Sequence, residues 1–282
     1  MSKAQPANLK QKVRKHWNEN PMDYDTVHAP LGSKEYYNQI NQQFYEVCYF
    51  GQDKGQPIFS KIINYSKLKG KKVLEIGCGS GTIARQLAAS GAIFTAVDLT
   101  PQAIANTKKQ LEFAHLKADV READAENLPF KDETFDFVWS WGVIHHTPDT
   151  PKAASEIYRV LKKGGQASIM IYHKNSLFYY GAVMFFRGII QGRLFKMSAQ
   201  KLLNLYTDHG HKGGTPLAKC YTKRQARKMF NKFSDIRFSV YGLKNEVYVI
   251  PFLRPLCYKL PNFIPNSILR FFGWYLMIRA KK

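Results

Sequence analysis

The sequence predicts an α/β fold in which a doubly wound, mostly parallel sheet is covered by helices on both faces. Three observations support this. Short apolar runs alternate with amphipathic stretches from Lys72 to about residue 173. A glycine-rich turn, EIGCGSG, follows the first apolar run, and carboxylates stand at the ends of later runs. Ligands of such sheets bind beyond the carboxyl ends of the strands, so a binding site is expected there.

Each element has its own local signal. The helix at 80–91 is expected to end at a glycine, and the helix at 101–113 to begin with Pro101 in its first turn. A third helix, at 149–165, also stops at a glycine. The expected strands are 73–77, 93–99, 118–124 (the weakest), 135–143 and 166–173.

The turn EIGCGSG has GxGxG spacing, with an acidic residue, Glu75, two positions before its first glycine. Glycines keep such a turn tight and let a ligand approach the backbone near the following helix N-terminus. Asp98 ends the second strand, where a carboxylate can bind both ribose hydroxyls, and Asp124 follows the third. Glycines alone are a weak signal. Combined with these two carboxylates, they strongly indicate a nucleotide cofactor.

At these residues the chain resembles the class I S-adenosylmethionine (SAM)-dependent methyltransferases, specifically the small-molecule branch that includes the quinone-type enzymes. The resemblance covers about residues 70–175 and is carried, in chain order, by VLEIGCGSGTIA, AVDLTPQAI, DAENLPF, FDFVWSWGVIHHTPD and LKKGGQASIMIYH. It implies SAM as the cofactor. It also implies a Rossmann-like, seven-stranded sheet that ends in an antiparallel C-terminal hairpin, with a helical cap formed by insertions.

The resemblance implies a role for each matching residue. Those expected at the methionine end of SAM are Glu75, Gly77, Cys78, Gly79 and Gly81. Asp98, followed by Leu99, would bind the ribose, Asp124 and Ala125 would flank the adenine, and Trp141 with Gly142 would form the floor.

The resemblance also divides the chain into an N-terminal helical lid (1–69), the SAM-binding core (70–173), an insertion (174–221), and the end of the core (222–282) with a second insertion at 243–270. The hairpin arms are expected at 234–242 and 272–282. The helix leading into them spans 222–233, with Thr222 as its N-cap.

Methyl transfer from a sulfonium needs alignment and exclusion of water, and it needs a general base only when the acceptor arrives protonated. His145 and His146 follow the fourth strand, and His173 ends the fifth, next to Tyr172. The three histidines are candidate bases. The alternative is that HHTPD is a structural element whose imidazoles bond to backbone. A carboxylic acid acceptor would need no base.

The substrate residues are expected in the N-terminal lid and the first insertion. Trp17 and Tyr24 are lid candidates, or else pack on the sheet edge, and 39–50 is a candidate pocket wall. Tyr172, Phe178 and Tyr179 are further candidates. In the loop 208–216, His209 and His211 could cover a substrate or an anionic head group; no metal site is expected there.

The net charge of +21 is distributed unevenly. Residues 151–282 hold 24 Lys and Arg against 4 Asp and Glu, whereas residues 1–150 carry a net charge of only +1. Such asymmetry indicates an anionic partner, either a membrane surface, nucleic acid or an acidic protein, unless it is only a solvated face. The N-terminus is polar and lacks the apolar run of a signal peptide. The four cysteines show neither a CxxC pair nor the spacing of metal ligands. Both observations favour a cytoplasmic location.

Residues 176–196, SLFYYGAVMFFRGIIQGRLFK, are too short and too interrupted to span a bilayer, because the run from Leu177 to Ile190 already contains Arg187. On an α-helical wheel the polar positions form one narrow stripe: Ser176, Tyr180, Arg187 and Gln191. A second apolar, basic segment, 247–272, contains four prolines. Both match an interfacial membrane element. The alternatives are a closed lid over a hydrophobic pocket, a homodimer interface and, less favoured, a nucleic-acid groove.

The sequence therefore predicts a SAM-dependent methyltransferase in the cytoplasm, at the inner face of the membrane, acting on a lipophilic or amphipathic small molecule by O- or C-methylation. A tRNA or rRNA methyltransferase and a non-catalytic SAM-binding membrane adaptor are the alternatives.

Overall fold

The computed structural model describes residues 4–21, 27–208, 213–242 and 271–282. Its helices and strands in chain order are α1 (Ala4–Glu19), α2 (Lys34–Val47), β1 (Lys72–Ile76), α3 (Thr82–Ala89), β2 (Ile93–Asp98), α4 (Pro101–Phe113), β3 (Asp119–Glu122), β4 (Phe135–Trp141), α5 (Thr150–Val160), β5 (Leu161–His173), a π-helix (Phe178–Ile190), α6 (Ala199–Tyr206), β6 (Cys220–Tyr221), α7 (Lys223–Met229), β7 (Ser234–Tyr241) and β8 (Tyr275–Lys281). The second predicted insertion, 243–270, lies outside the described residues.

The strands form one mixed sheet in the order β3-β2-β1-β4-β5-β8-β7. Strands β1 to β5 are parallel to one another, and β8 is antiparallel to both β5 and β7. This path confirms the predicted doubly wound, seven-stranded sheet with its C-terminal hairpin. A two-residue strand, β6, is an addition that pairs in parallel with the end of β5. Strand order reverses between β1 and β4, and the opening above that point is where ligands of such sheets bind.

Successive residues of β1 point to opposite faces of the sheet and enter two different cores. Val73 packs with Ile83 and Leu87 of α3 on one face. Leu74 packs with Ile157 of α5 and Phe230 beyond α7 on the other. The sheet is therefore covered on both sides, and the loops after the strands are held at one edge.

The third predicted helix is too long. It ends at Val160 rather than at Gly165, and β5 begins at Leu161. Gly164 donates a backbone hydrogen bond to Lys282, which donates one back to Gly165, both at 2.9 Å. Long-range pairing with the C-terminus therefore draws these glycines into the sheet, and a local stop signal could not reveal that partner. The N-cap prediction is confirmed, because Thr222 forms a capping box with Gln225.

The α-helical wheel for residues 176–196 is wrong in detail. Ser176, expected on the polar stripe, is buried, whereas the apolar residues Phe185 and Ile189 are more than half exposed. The segment is a π-helix, whose i→i+5 hydrogen bonds make each turn wider than 3.6 residues, so an α-helical wheel puts its side chains in the wrong direction. Within the described ranges, no helix is long and apolar enough to cross a membrane.

Candidate active site

The glycine-rich turn after β1 is shaped by close contacts that only glycine allows. Gly77 has a positive φ of 79°, and a Cβ there would lie 2.1 Å from a methyl group of Val143. Gly81 has φ 84°, and its Cβ would lie 2.8 Å from the Cα of Thr107 on α4. The turn is consequently pressed between α4 and the residues after β4, and its outer backbone faces the opening above the sheet.

Asp98, at the end of β2, is held by the turn and by its own loop. Its Oδ2 accepts a hydrogen bond from the backbone N–H of Gly79 at 3.1 Å. Its Oδ1 accepts from the backbone N–H of Thr100 at 3.0 Å and from the Thr100 hydroxyl at 3.1 Å. Burial raises the pKa of Asp98 and these hydrogen bonds oppose the rise. The carboxylate is thus oriented in advance, as ribose binding requires.

Glu75 provides the test of whether the residues present fit SAM. Its side chain is buried, and its Oε2 has no hydrogen-bond partner among the described residues. Burial, and next the negative charge of Asp98, raise the pKa of Glu75 well above its usual range. A buried carboxylate without a partner suits a cationic ligand. The sulfonium and ammonium groups of SAM supply such positive charge, so the residues fit the cofactor.

These residues line one cavity of about 380 Å³. Of the predicted cofactor residues, those on its wall are Glu75, Gly77, Cys78, Gly79, Asp98, Leu99, Asp124, Ala125, Trp141 and Gly142. Gly81 is not on the wall, because it serves the packing of α3 on α4.

Helix α1 closes one side of the cavity through Lys10, Val13 and Trp17. Lys10 Nζ lies 2.6 Å from both Asp124 Oδ2 and Glu126 Oε2. Burial alone would lower the pKa of Lys10, but the hydrogen bonds to these two carboxylates outweigh it and raise the pKa. Lys10 thus attaches the N-terminal helix to the loop after β3. The sequence did not single out Lys10, because its partners lie more than 100 residues away.

His146 lines the same cavity. Its Nδ1 is 2.6 Å from the carbonyl oxygen of Leu217, and its Nε2 is 3.3 Å from Asp208 Oδ2. Asp208 Oδ1 in turn accepts a hydrogen bond of 2.5 Å from the Tyr172 hydroxyl. Trp17 packs edge-on against the His146 ring with centroids 5.2 Å apart. Two strand ends, the lid and the first insertion therefore meet at this imidazole.

Four of the predicted catalytic and substrate residues lie away from the cavity wall: His145, His173, Phe178 and Tyr179. His145 is fully buried beneath Tyr172, and burial, followed by His146 and Lys219, lowers its pKa well below the usual range. His173 Nδ1 lies 3.1 Å from the carbonyl of Gly273. This geometry favours supporting positions for both histidines rather than contact with an acceptor.

Tyr24, His209 and His211 lie outside the described residues, and their proposed roles stay predictions. In the part of the chain that is described, no group of three or more His, Cys, Asp or Glu could hold a metal ion. Three residues that the sequence did not single out also line the cavity: Phe44, Val47 and Cys48. They belong to the segment 39–50, which the sequence suggests as a pocket wall. The structure also adds Asp208, whose only sequence signal was its position beside two histidines.

Comparison with known proteins finds similarity to methyltransferases. Residues 74–169 match the family model described as "Methyltransferase domain". The ubiquinone biosynthesis O-methyltransferase of Pseudomonas putida is 33% identical over 126 residues, covering 42% of this chain and 52% of that protein. The protein of the same name from Aromatoleum aromaticum is 31% identical over 118 residues, covering 42% and 50%. The match thus spans about half the length of these relatives.

Solved structures share the fold at low identity. A chain in the complex between the Haloferax volcanii Trm112 methyltransferase activator and the putative methyltransferase has a TM-score of 0.54 at 15% identity, covering 95% of this chain and 96% of that one. The SAM-dependent methyltransferase of Mesorhizobium loti has a TM-score of 0.52 at 15% identity, covering 81% and 99%.

Replacing Glu75 with Gln should stabilise the ligand-free protein and weaken SAM binding. Because the pKa of Glu75 is raised in the folded state, its contribution to stability is present at low pH and is lost as pH rises through that raised pKa. The gain in free energy of unfolding for E75Q should therefore be near zero below pH ~4 and about 1 to 3 kcal/mol at neutral pH. SAM affinity should fall about tenfold or more.

Urea unfolding at two pH values and calorimetric titration with SAM would measure both effects. Glu112→Gln, an exposed change on α4, is the control. An E75Q protein that binds SAM as tightly as the wild type would contradict the assignment.

Replacing Lys10 with Met should loosen α1. Partly exposed ion pairs contribute up to about 1 kcal/mol, so amide hydrogen exchange in α1 should accelerate about fivefold. Lys12→Met, an exposed change on the same helix, should leave exchange unchanged. Equal exchange in the two variants would show that Lys10 does not hold the helix.

Proposed function

We propose that this chain, which contains a class I SAM-dependent methyltransferase domain, methylates a lipophilic small molecule at an ionisable hydroxyl group. The observation that carries the proposal is the composition of the cavity. Its wall carries the carboxylates expected to bind SAM and also the polar side chains of His146, Asp208 and Tyr172. Apolar and aromatic side chains line the space between and around them: Val13, Trp17, Phe44, Val47, Ile83, Trp141 and Met170.

Such walls suit an acceptor that is mostly apolar and carries one polar reacting group. Phe50, stacked on Trp141 with ring centroids 6.0 Å apart, extends the aromatic layer behind the wall. Aromatic walls of this kind would keep water from the reacting groups, and exclusion of water protects an activated methyl donor from hydrolysis.

When bound, SAM supplies a methyl group already activated by the positive charge on sulfur. His146 would take the proton that an acceptor hydroxyl must lose. A carbonyl can only accept a hydrogen bond, so the Nδ1 beside Leu217 carries a hydrogen, and Nε2 is the ring nitrogen left to take up a proton. An acceptor hydroxyl placed against Nε2 can transfer its proton there. The carboxylate of Asp208, 3.3 Å away, would stabilise the imidazolium that forms.

Tyr172 would orient Asp208. Burial, and next the neighbouring charge of Asp208, raise the pKa of Tyr172 well above its usual range. The phenol therefore stays protonated and donates a hydrogen bond to Asp208 Oδ1. The backbone bond of Nδ1 also accords with the structural interpretation of the HHTPD stretch, because it holds the ring in place while Nε2 faces the cavity.

The similarity to ubiquinone biosynthesis O-methyltransferases supports a hydroxyl acceptor on a lipophilic molecule. It reaches only about half of those proteins, so the acceptor itself is proposed from the cavity. The cytoplasmic location stays a prediction.

Incubation with methyl-labelled SAM and a cell extract tests the proposal. The extract is separated afterwards into lipid, nucleic-acid, protein and small-molecule fractions. We expect label in base-stable ethers of the lipid or small-molecule fraction. Label confined to nucleic acid would instead identify a tRNA or rRNA methyltransferase. SAM binding without label in any fraction would identify a non-catalytic adaptor.

Replacing His146 with Ala should lower kcat for a hydroxyl acceptor about 100-fold or more, since the general base is lost. SAM affinity should be retained, because the described partners of His146 are Leu217 and Asp208 and not the carboxylates assigned to SAM. Steady-state kinetics and titration with SAM would separate the two effects. His28→Ala, an exposed histidine, is the control. Unchanged kcat in H146A would remove His146 from the mechanism.

A further inference from the structure

The first insertion presents an exposed apolar surface. We define the cap surface as the side chains of Tyr180, Phe185, Ile189, Ile190 and Phe195, which are 52%, 54%, 57%, 61% and 90% exposed. The steps from residue 180 to 185 and from 185 to 189 are five and four positions. These steps match the wide turn of the π-helix and put the three side chains on one face. Exposed large apolar groups are ordinary when single, but a contiguous group marks an interaction site.

The opposite face of the π-helix already anchors the insertion to the protein. Phe178, Ala182 and Val183 are buried there, and Phe178 packs on Trp274 with ring centroids 4.7 Å apart. A Cβ on Gly188 would lie 2.7 Å from Leu194, so this glycine allows the chain to fold back tightly onto itself. The helix therefore has its packing partners on the inner side, and the cap surface is not needed to hold it.

The charged residues of the segment that carries the cap surface are all positive. From Lys174 to Thr207 the chain holds five Lys or Arg residues and no Asp or Glu. None of the five forms an ion pair with a described residue. Arg187 and Arg193 instead lie over the ring of Tyr206, at 5.0 and 5.2 Å from its centroid. The segment thus combines exposed apolar side chains with cations that form no ion pair with a described carboxylate.

We propose that the cap surface docks on an anionic lipid bilayer. The apolar side chains would enter the boundary between head groups and acyl chains, while the surrounding Lys and Arg side chains contact anionic head groups. Docking of this kind needs no membrane-spanning helix. The inference does not depend on which acceptor is methylated, because it concerns the outer face of the insertion and not the cavity.

The charge pattern favours a bilayer over the other occupants of such a surface. A symmetric contact with a second copy would bring the same basic patch against itself, with no acidic residue in 174–207 to pair with it. RNA would satisfy the charges, but Ile189 and Ile190 offer no ring on which a base can stack. The segment 243–270 is itself basic, with Glu246 its only acidic residue.

Sedimentation of the full-length protein with vesicles tests the proposal. We expect binding to vesicles of phosphatidylcholine mixed with phosphatidylglycerol, much weaker binding to phosphatidylcholine alone, and a decrease with rising salt. The triple variant F185S/I189S/F195S should bind the mixed vesicles at least about tenfold more weakly. The control L31S/I93S removes two apolar side chains that are as exposed but lie elsewhere, and should bind normally.

A second pair of variants separates charge from apolar contact. K196Q/K201Q should weaken binding to the mixed vesicles, whereas K12Q/K54Q, with equal loss of charge, should not. Thermal unfolding and SAM titration would establish that every variant is folded. The proposal is overturned if the wild type ignores anionic vesicles, if the triple variant binds them as the control does, or if the same substitutions abolish a dimer or RNA binding in place of vesicle binding.

Discussion

The close approach of two carboxylates, Glu75 and Asp98, is the constraint around which the site is built. They stand at the ends of adjacent strands, and the charge of Asp98 adds to the burial that raises the pKa of Glu75. Asp98 is stabilised by the backbone of Gly79 and the loop at Thr100, whereas the Oε2 of Glu75 has no described partner. A cationic ligand would relieve that imbalance. The unpartnered carboxylate is therefore also the group expected to bind the positive charge of the cofactor.

The remaining parts of the site follow from how the cavity is closed. Lys10 brings α1 onto the carboxylates after β3, and α2 adds Phe44 and Val47 to the wall. Asp208 arrives from the first insertion and meets Tyr172 and His146, which belong to the core. Among its described residues, the insertion contributes Asp208 to the cavity wall, while its exposed apolar side chains are not on that wall.

Prediction from sequence succeeded where the signal was local or periodic. The parallel sheet and the Thr222 cap follow from short patterns, the hairpin follows from the family resemblance, and the glycine turn with Asp98 and Asp124 indicates a nucleotide cofactor. It failed where a distant partner decides. Gly164 and Gly165 read as a helix stop, but Lys282 pairs with them as strand residues. The α-helical wheel for the first insertion is wrong because the π-helix has hydrogen bonds from residue i to i+5 rather than to i+4.

The sequence alone determined the α/β architecture and the cofactor end of the site, because strand ends of a parallel sheet converge and the residues on them can be read in order. Only the tertiary structure decided which histidine lies on the cavity wall. His145 and His146 are adjacent in sequence and identical in chemistry. The turn after β4 buries one beneath Tyr172 and directs the other toward Asp208, whose arrival depends on how a distant insertion folds back. Side-chain direction within a turn is set by those long-range contacts, and no local pattern encodes them.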